Sequence, residues 1–248
     1  MHRPTHRPHP VRRLVAVPLG LLVAVLLATG ASTVLGAAPA SAATRVVLDG
    51  VAVSLPAGST QVVTVNHTRS WHARVTLWNR TASGWTRIAR AYDGRTGYGG
   101  LVVGTQRRQG TGSTPLGTYT LPTSFGTHAA SSAWKLPYQR IGAGDFWVED
   151  NGSAYYNRYR NTAQGGFRWW LRTGANTSER LSDYPTQYEF VVNTGFNQAQ
   201  VRYRGAGIFL HVNGRGATAG CISTPRWFMR TTLAQLDPAR HPVIAIGR

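Results

Sequence analysis

Along most of the chain, apolar and polar positions alternate instead of recurring every third or fourth residue. Ala73-Arg74-Val75-Thr76-Leu77-Trp78 is the clearest case, with the period of a strand that buries one face. Residues 46–53, 61–65 and 85–91 are similar short runs, separated by Gly, Ser, Asn and Pro clusters, and read as strands joined by turns. Residues 117–121, 188–192, 207–212 and 241–246 continue the pattern, whereas 151–187 carry Tyr, Asn, Arg and Gly with little periodicity and read as loop. One helix is predicted. Thr224 is its expected N-cap and Pro225 its first residue; Met229, Leu233 and Leu236 share a face, and Asp237-Pro238 stops it. The fold class is therefore mainly β, with one helix near the C-terminal end.

The N-terminal segment breaks this pattern. Arg3, Arg7, Arg12 and Arg13 form a basic stretch, Leu14 to Ala28 is apolar without charge, and Ala40-Ser41-Ala42 is a small-x-small cleavage site. Residues 1–42 are read as a signal peptide and 43–248 as one mature domain, secreted to the cell envelope, with no membrane contact once the signal is removed. Pro18, Gly20, Gly30 and Pro39 interrupt the apolar run and weigh against a retained anchor. No repeat, low-complexity linker or composition shift marks a second domain.

Charge adds a constraint. The chain holds 27 Lys+Arg against 9 Asp+Glu, a formal +18. Removing the four leader arginines leaves 23 against 9, or +14. Such a surface favours polyanions: nucleic acid, anionic wall polymers or anionic lipid. The basic residues are scattered, so no specific nucleic-acid partner is expected. Trp169-Trp170 between Arg168 and Arg172 would suit base stacking, but a packed loop or a sugar platform explains the pair equally well.

The candidate chemistry sits at Cys221, the only cysteine. In a chain that reads as exported, a lone thiol has no disulfide partner within the molecule and is a candidate reactive group. It follows Gly220, at the end of a glycine-rich loop that begins after His211. A thiol nucleophile needs a base and backbone N–H donors, and this segment supplies both. His67, His72, His128 and His241 share no motif with the cysteine. One Cys and one His ten residues apart do not make a zinc pattern, so neither metal nor cofactor is expected.

With those residues in view, His211, the glycine loop and Thr218-Ala219-Gly220-Cys221-Ile222-Ser223 resemble the signature of the L,D-transpeptidase catalytic domain (YkuD-type). Gly112-Ser113-Thr114-Pro115-Leu116-Gly117-Thr118-Tyr119 resembles that family's threonine-proline segment. Phe146 to Asp150, Tyr155-Tyr156-Asn157 and Tyr188 to Asn193 resemble secreted Gram-positive members. The resemblance implies a β-sandwich or barrel acting on peptidoglycan stem peptides. Cys221 matches the nucleophile, His211 the base, and the N–H groups of Ala219, Gly220 and Cys221 the oxyanion donors. The carbonyl of Val212 or Asn213 would orient the imidazole, with Thr218 and Ser223 supporting. It further implies a thioester resolved by an amine as a 3→3 cross-link, or by water as a carboxypeptidase. The chain departs from the family pattern in three ways: Ala219 stands where a second histidine is usual, Ser223 where Asn or Arg is usual, and the loop is short. A non-catalytic wall-binding protein and a secreted polyanion binder are the alternatives, separated by whether the thiol reacts.

Overall fold

A computed structural model of the chain describes residues 43–248. The signal-peptide reading falls on residues 1–42, outside the described residues. Sixteen strands and one α-helix are described: β1 (Thr44–Leu48), β2 (Val51–Leu55), β3 (Gln61–Arg69), β4 (His72–Thr81), β5 (Gly84–Arg95), β6 (Leu101–Val103), β7 (Thr114–Thr120), β8 (Ser124–Gly126) and β9 (Tyr138–Arg140) come first. β10 (Asp145–Trp147), β11 (Tyr159–Asn161), β12 (Glu179–Arg180), β13 (Val191–Asn193), β14 (Phe209–Val212), β15 (Ile222–Thr224), α1 (Arg226–Gln235) and β16 (Val243–Gly247) follow. The fold is mainly β, as the alternation predicts.

Eleven strands form one mixed sheet in the order β6-β7-β16-β3-β4-β5-β15-β14-β13-β8-β9. Side chains from its two halves pack on one another in sandwich fashion: Val63, Val65, Val75 and Leu77 of β3 and β4 share a core with Val192, Leu210, Val212 and Ile222. Helix α1 adds Phe228, Met229 and Leu233 to the same core, all fully buried. A ten-residue helix is marginal on its own, and burying three such side chains, at about 2 kcal/mol each, is what holds it. A separate three-stranded sheet, β11-β10-β12, stands beside the main one.

Three local expectations are corrected. Residues 46–53 are a hairpin, not one strand. Asp49 (φ 54°) and Gly50 (φ 80°) turn the chain between β1 and β2, and Leu48 pairs with Val51. Two consecutive positive φ values are the signature of the tight hairpin turn that Asp-Gly favours. Thr224 does not cap α1. It is the last residue of β15, its hydroxyl is buried without a protein partner, and Pro225 occupies the cap position. Tyr188 is not in a strand either: Gln187–Glu189 form a short 3₁₀ turn and pairing begins at Val191. Much of 151–187 is loop, as expected, apart from β11, β12 and two 3₁₀ turns.

Candidate active site

Strands β14 and β15 run parallel at the centre of this site, with Leu210 opposite Ile222 and His211 opposite Ser223. Strand alternation then sorts the side chains. Leu210, Val212 and Ile222 enter the main core, while Phe209 packs with Cys221 on the other face. Carried one residue back from β15, the register sets Cys221 opposite Phe209, so His211 and Cys221 project from the same face two residues apart, about 7 Å along the strand direction. Both line a cavity of about 600 Å³. The connection between the strands, residues 213–221, is too short for a crossover helix and carries Gly214, Gly216 and Gly220.

Hydrogen bonds pin that loop from several elements. Arg95 Nη1 donates to the carbonyls of Gly214 (2.7 Å) and Gly216 (3.2 Å). Asn213 Nδ2 donates to the Asp93 carbonyl (2.8 Å), and Ser223 Oγ donates to Asn213 Oδ1 (2.7 Å). Buried Thr114, from the threonine-proline segment, accepts from Gly97 N–H and donates to the Gly220 carbonyl, both at 2.8 Å. Gly220 has φ +128°, and a Cβ there would lie 2.8 Å from the Ser113 carbonyl and 2.9 Å from Arg107 Nη2. No other residue type fits without moving backbone.

The expected roles sort as follows. His211 Nδ1 donates to the Val212 carbonyl (2.8 Å), so Val212, not Asn213, orients the ring and leaves Nε2 facing the site. Thr218 Oγ1 donates to the Cys221 carbonyl (2.6 Å) and accepts from Gly220 N–H (3.2 Å). The Gly220 amide is thus engaged at rest. The amides of Ala219 and Cys221 donate to no protein acceptor among the described residues and are the free pair. Asn213 and Ser223 brace the loop ends.

The thiol and imidazole do not form a resting hydrogen bond. The Cys221 thiol donates to the Gly207 carbonyl (3.1 Å) and accepts from Phe209 N–H (3.4 Å). Burial pushes its pKa up to about 12, with Glu179 adding to the rise. Burial lowers the His211 pKa to about 4, against the bond to Val212. A preformed thiolate–imidazolium pair, the usual way to activate such a thiol, is absent at rest: each charged form is desolvated and neither meets its counter-charge.

Four lining residues escaped the sequence reading. Glu149 and Glu179 are half-buried in the cavity, and Tyr188 O–H donates to Glu179. Burial raises both carboxyl pKa values; their mutual repulsion adds to that of Glu149, and Asp183 to that of Glu179. Arg107, only 5% exposed, lines the same cavity. Glu149 lies in the family-like segment Phe146 to Asp150 and Tyr188 in Tyr188 to Asn193, with no local signal of a role; Glu179 lies in the stretch of little periodicity. Arg107 was one arginine among many.

A family model described as the L,D-transpeptidase catalytic domain (YkuD) matches residues 79–244. No curated protein and no solved structure matches the chain.

Proposed function

This chain belongs to the L,D-transpeptidase catalytic-domain family, and on that premise we propose that it is an exported cysteine acyltransferase that cross-links peptidoglycan stem peptides. The observation that carries the reading is the shared face of β14 and β15. It brings Cys221, His211 with Nε2 unspent, and two free amides to one cavity. In the proposed reaction the thiol turns from the Gly207 carbonyl toward His211 and gives Nε2 its proton as sulfur attacks the carbonyl of the third stem residue. The amides of Ala219 and Cys221 stabilise the developing oxyanion, each such donor being worth about 10²–10³ in rate. The terminal D-alanine leaves with the proton from His211, and a thioester remains on Cys221. An amine on a neighbouring stem resolves it as a 3→3 cross-link, and water would give a tripeptide. Because burial keeps thiol and imidazole both neutral at rest, the thiolate is generated within the reaction and is not stored beforehand.

The site sits on residues 43–248, the proposed mature domain, with residues 1–42 as the export signal and the wall as destination. The cationic composition suits an anionic envelope. Mass spectrometry of residues 43–248 incubated with a disaccharide tetrapeptide tests the reading. The expected result is a thioester on the peptide containing Cys221 and a cross-linked dimer, both lost in Cys221→Ala. A protein that forms neither thioester, dimer nor tripeptide, while a general thiol reagent labels Cys221, is not this enzyme.

A further inference from the structure

Helix α1 buries one face and shows the other. Phe228, Met229 and Leu233 enter the main core, while Trp227 and Arg230 point outward, Trp227 being 52% exposed. Opposite them stands the connection from β8 to β9, which carries His128, Ser131 and Trp134. Helix and loop line a second cavity, of about 800 Å³. It shares no lining residue with the cavity of Cys221. Two indoles from different elements thus border one groove, and the small side chains of Ala129, Ala133 and Ala234 leave room between them.

The polar groups of the groove are fixed in place and only partly used. Glu189 accepts from His128 Nε2 (2.7 Å) and from Nε and Nη2 of Arg226. His128 stacks on the Phe190 ring (4.8 Å), and Arg226 Cζ lies over that ring (5.6 Å). These contacts leave His128 Nδ1 as an acceptor and Arg226 Nη1 and the Ser131 hydroxyl as donors, none with a protein partner among the described residues. Every charged side chain lining the groove is basic, and Arg230 makes no ion pair among the described residues. A sugar ring has C–H faces that stack on an indole and, around its edge, hydroxyls that both donate and accept. The groove offers that combination. The uncompensated guanidinium adds a demand for negative charge. Arg226 and Arg230 lie one turn apart on the helix, so their free N–H groups reach an anion from two directions. The two unesterified oxygens of a phosphodiester diverge and meet both, whereas the coplanar oxygens of a carboxylate suit a single guanidinium fork.

We propose that this groove binds one repeat of an anionic glycopolymer, its sugar ring between Trp134 and Trp227 and its phosphodiester on Arg226 and Arg230. The site is a tether and does no chemistry. It does not rest on the acyl-transfer reading, since no group of the Cys221 cavity takes part. The basic surplus of the chain draws such a polymer to the surface without choosing among polyanions, and the groove supplies the choice of repeat.

Calorimetric titration of the protein tests this with four probes: poly(ribitol phosphate) carrying N-acetylglucosamine, the same chain without the sugar, hyaluronan (the sugar with a carboxylate) and chitohexaose (the sugar without charge). The decorated phosphodiester chain should bind at least tenfold tighter than each of the other three. Trp227→Ala should bring it down to the level of the bare chain. Arg230→Gln should weaken both phosphodiester chains at least fivefold. Arg87→Gln removes the same charge from an exposed position on β5, outside the groove, and should change each affinity less than twofold. Trp227 and Arg230 are exposed, so both variants should fold, and unchanged iodoacetamide labelling of Cys221 verifies it. Cys221→Ala should bind the decorated chain as the native protein does, so a failure of the acyl-transfer reading leaves this site standing. An equal loss in Arg87→Gln would reduce the binding to general charge attraction and overturn the site. So would a folded Trp227→Ala that binds the decorated chain at native affinity. Equal or tighter binding of hyaluronan, chitohexaose or a single-stranded oligonucleotide would overturn the assignment of the ligand.

Discussion

Asp49 and Glu149 are both sheltered carboxylates, and the chain treats them in opposite ways. Asp49 sits in the β1–β2 turn and accepts from Arg74 Nε (2.8 Å), Thr76 Oγ1 (3.0 Å) and Arg90 Nη2 (3.1 Å). Those partners outweigh burial and hold its pKa below the usual carboxylate range. Glu149 faces a cavity, has no such partner, and is pushed up. The same contrast separates whole regions: the hairpin corner pairs its sheltered carboxylate with arginines, while the cavity gathers Cys221, His211, Glu149 and Glu179 with no ion pair to any of them. Arg107 in the same cavity only partly offsets the rise and makes no ion pair with Glu149, which marks where local stability yields to chemistry.

His211 provides the largest expected test of that contrast. Its folded pKa of about 4 lies below the ordinary value of 6.5, so the unfolded chain binds the proton more readily. The stability tied to the neutral imidazole is complete above pH 6.5 and is lost as pH falls toward 4, about 3 kcal/mol in all. Denaturant midpoints at pH 7 and pH 4.5 should diverge more in the native protein than in His211→Gln. Equal pH dependence in the two proteins would mean the imidazole is not buried neutral.

Breaking the matched corner should come next. Asp49→Ala removes the acceptor of Arg74, Arg90 and Thr76 together and leaves them facing each other. With the arginines part exposed (side chains 30% and 19%), the cost is discounted to about 2 kcal/mol at neutral pH. Alkylation of Cys221 should not change. Loss of thiol reactivity in a folded Asp49→Ala would show that the two regions are coupled and not independent.

What could be read from the sequence follows the same division. Alternation exposes β4 and the buried faces of β14 and β16 because core burial imposes a period on local sequence. Cys221 and His211 are legible because the glycine loop joins them. The Asp49-Gly50 turn is masked because apolar residues flank it on both sides and continue the run. Glu149, Glu179 and Arg107 are brought together from β10's exit, β12 and the stretch after β6, so no local pattern announces them. The choice of Val212 over Asn213 depends on a ring orientation, and the engaged Gly220 amide on a threonine rotamer. Neither leaves a trace in residue order.

Glu149→Gln should stabilise the fold where Asp49→Ala weakens it. A carboxyl whose folded pKa is raised favours folding at low pH, where it is protonated, and opposes it progressively as pH rises past its unfolded value near 4.5. Replacing the carboxylate by a neutral amide of the same shape should therefore raise stability on the order of 1 kcal/mol at pH 8 and leave it nearly unchanged at pH 4. Thermal unfolding at the two pH values measures this. A variant less stable than native at pH 8 would mean that Glu149 has a stabilising partner after all.

The smallest expected effect falls on the thiol itself. Glu179 raises the Cys221 pKa through its negative charge, second only to burial. In Glu179→Gln the Tyr188 hydroxyl can still donate to the side-chain oxygen, so the local packing has no reason to change while the charge disappears. The thiol pKa should fall. Each unit of fall gives ten times more thiolate, but a less basic sulfur is also a weaker nucleophile, so the net gain in alkylation is about threefold per unit. The gain should be confined to pH 8 and above, where the carboxylate pair carries charge. Near pH 5 both glutamates are protonated in the native protein, and the two proteins should react alike. Iodoacetamide labelling followed by mass spectrometry across that range reads both limbs. A variant that labels at the native rate at pH 9 would place the field of Glu179 elsewhere than on the thiol. A gain persisting at pH 5 would point to altered access, because no charge remains there to be removed.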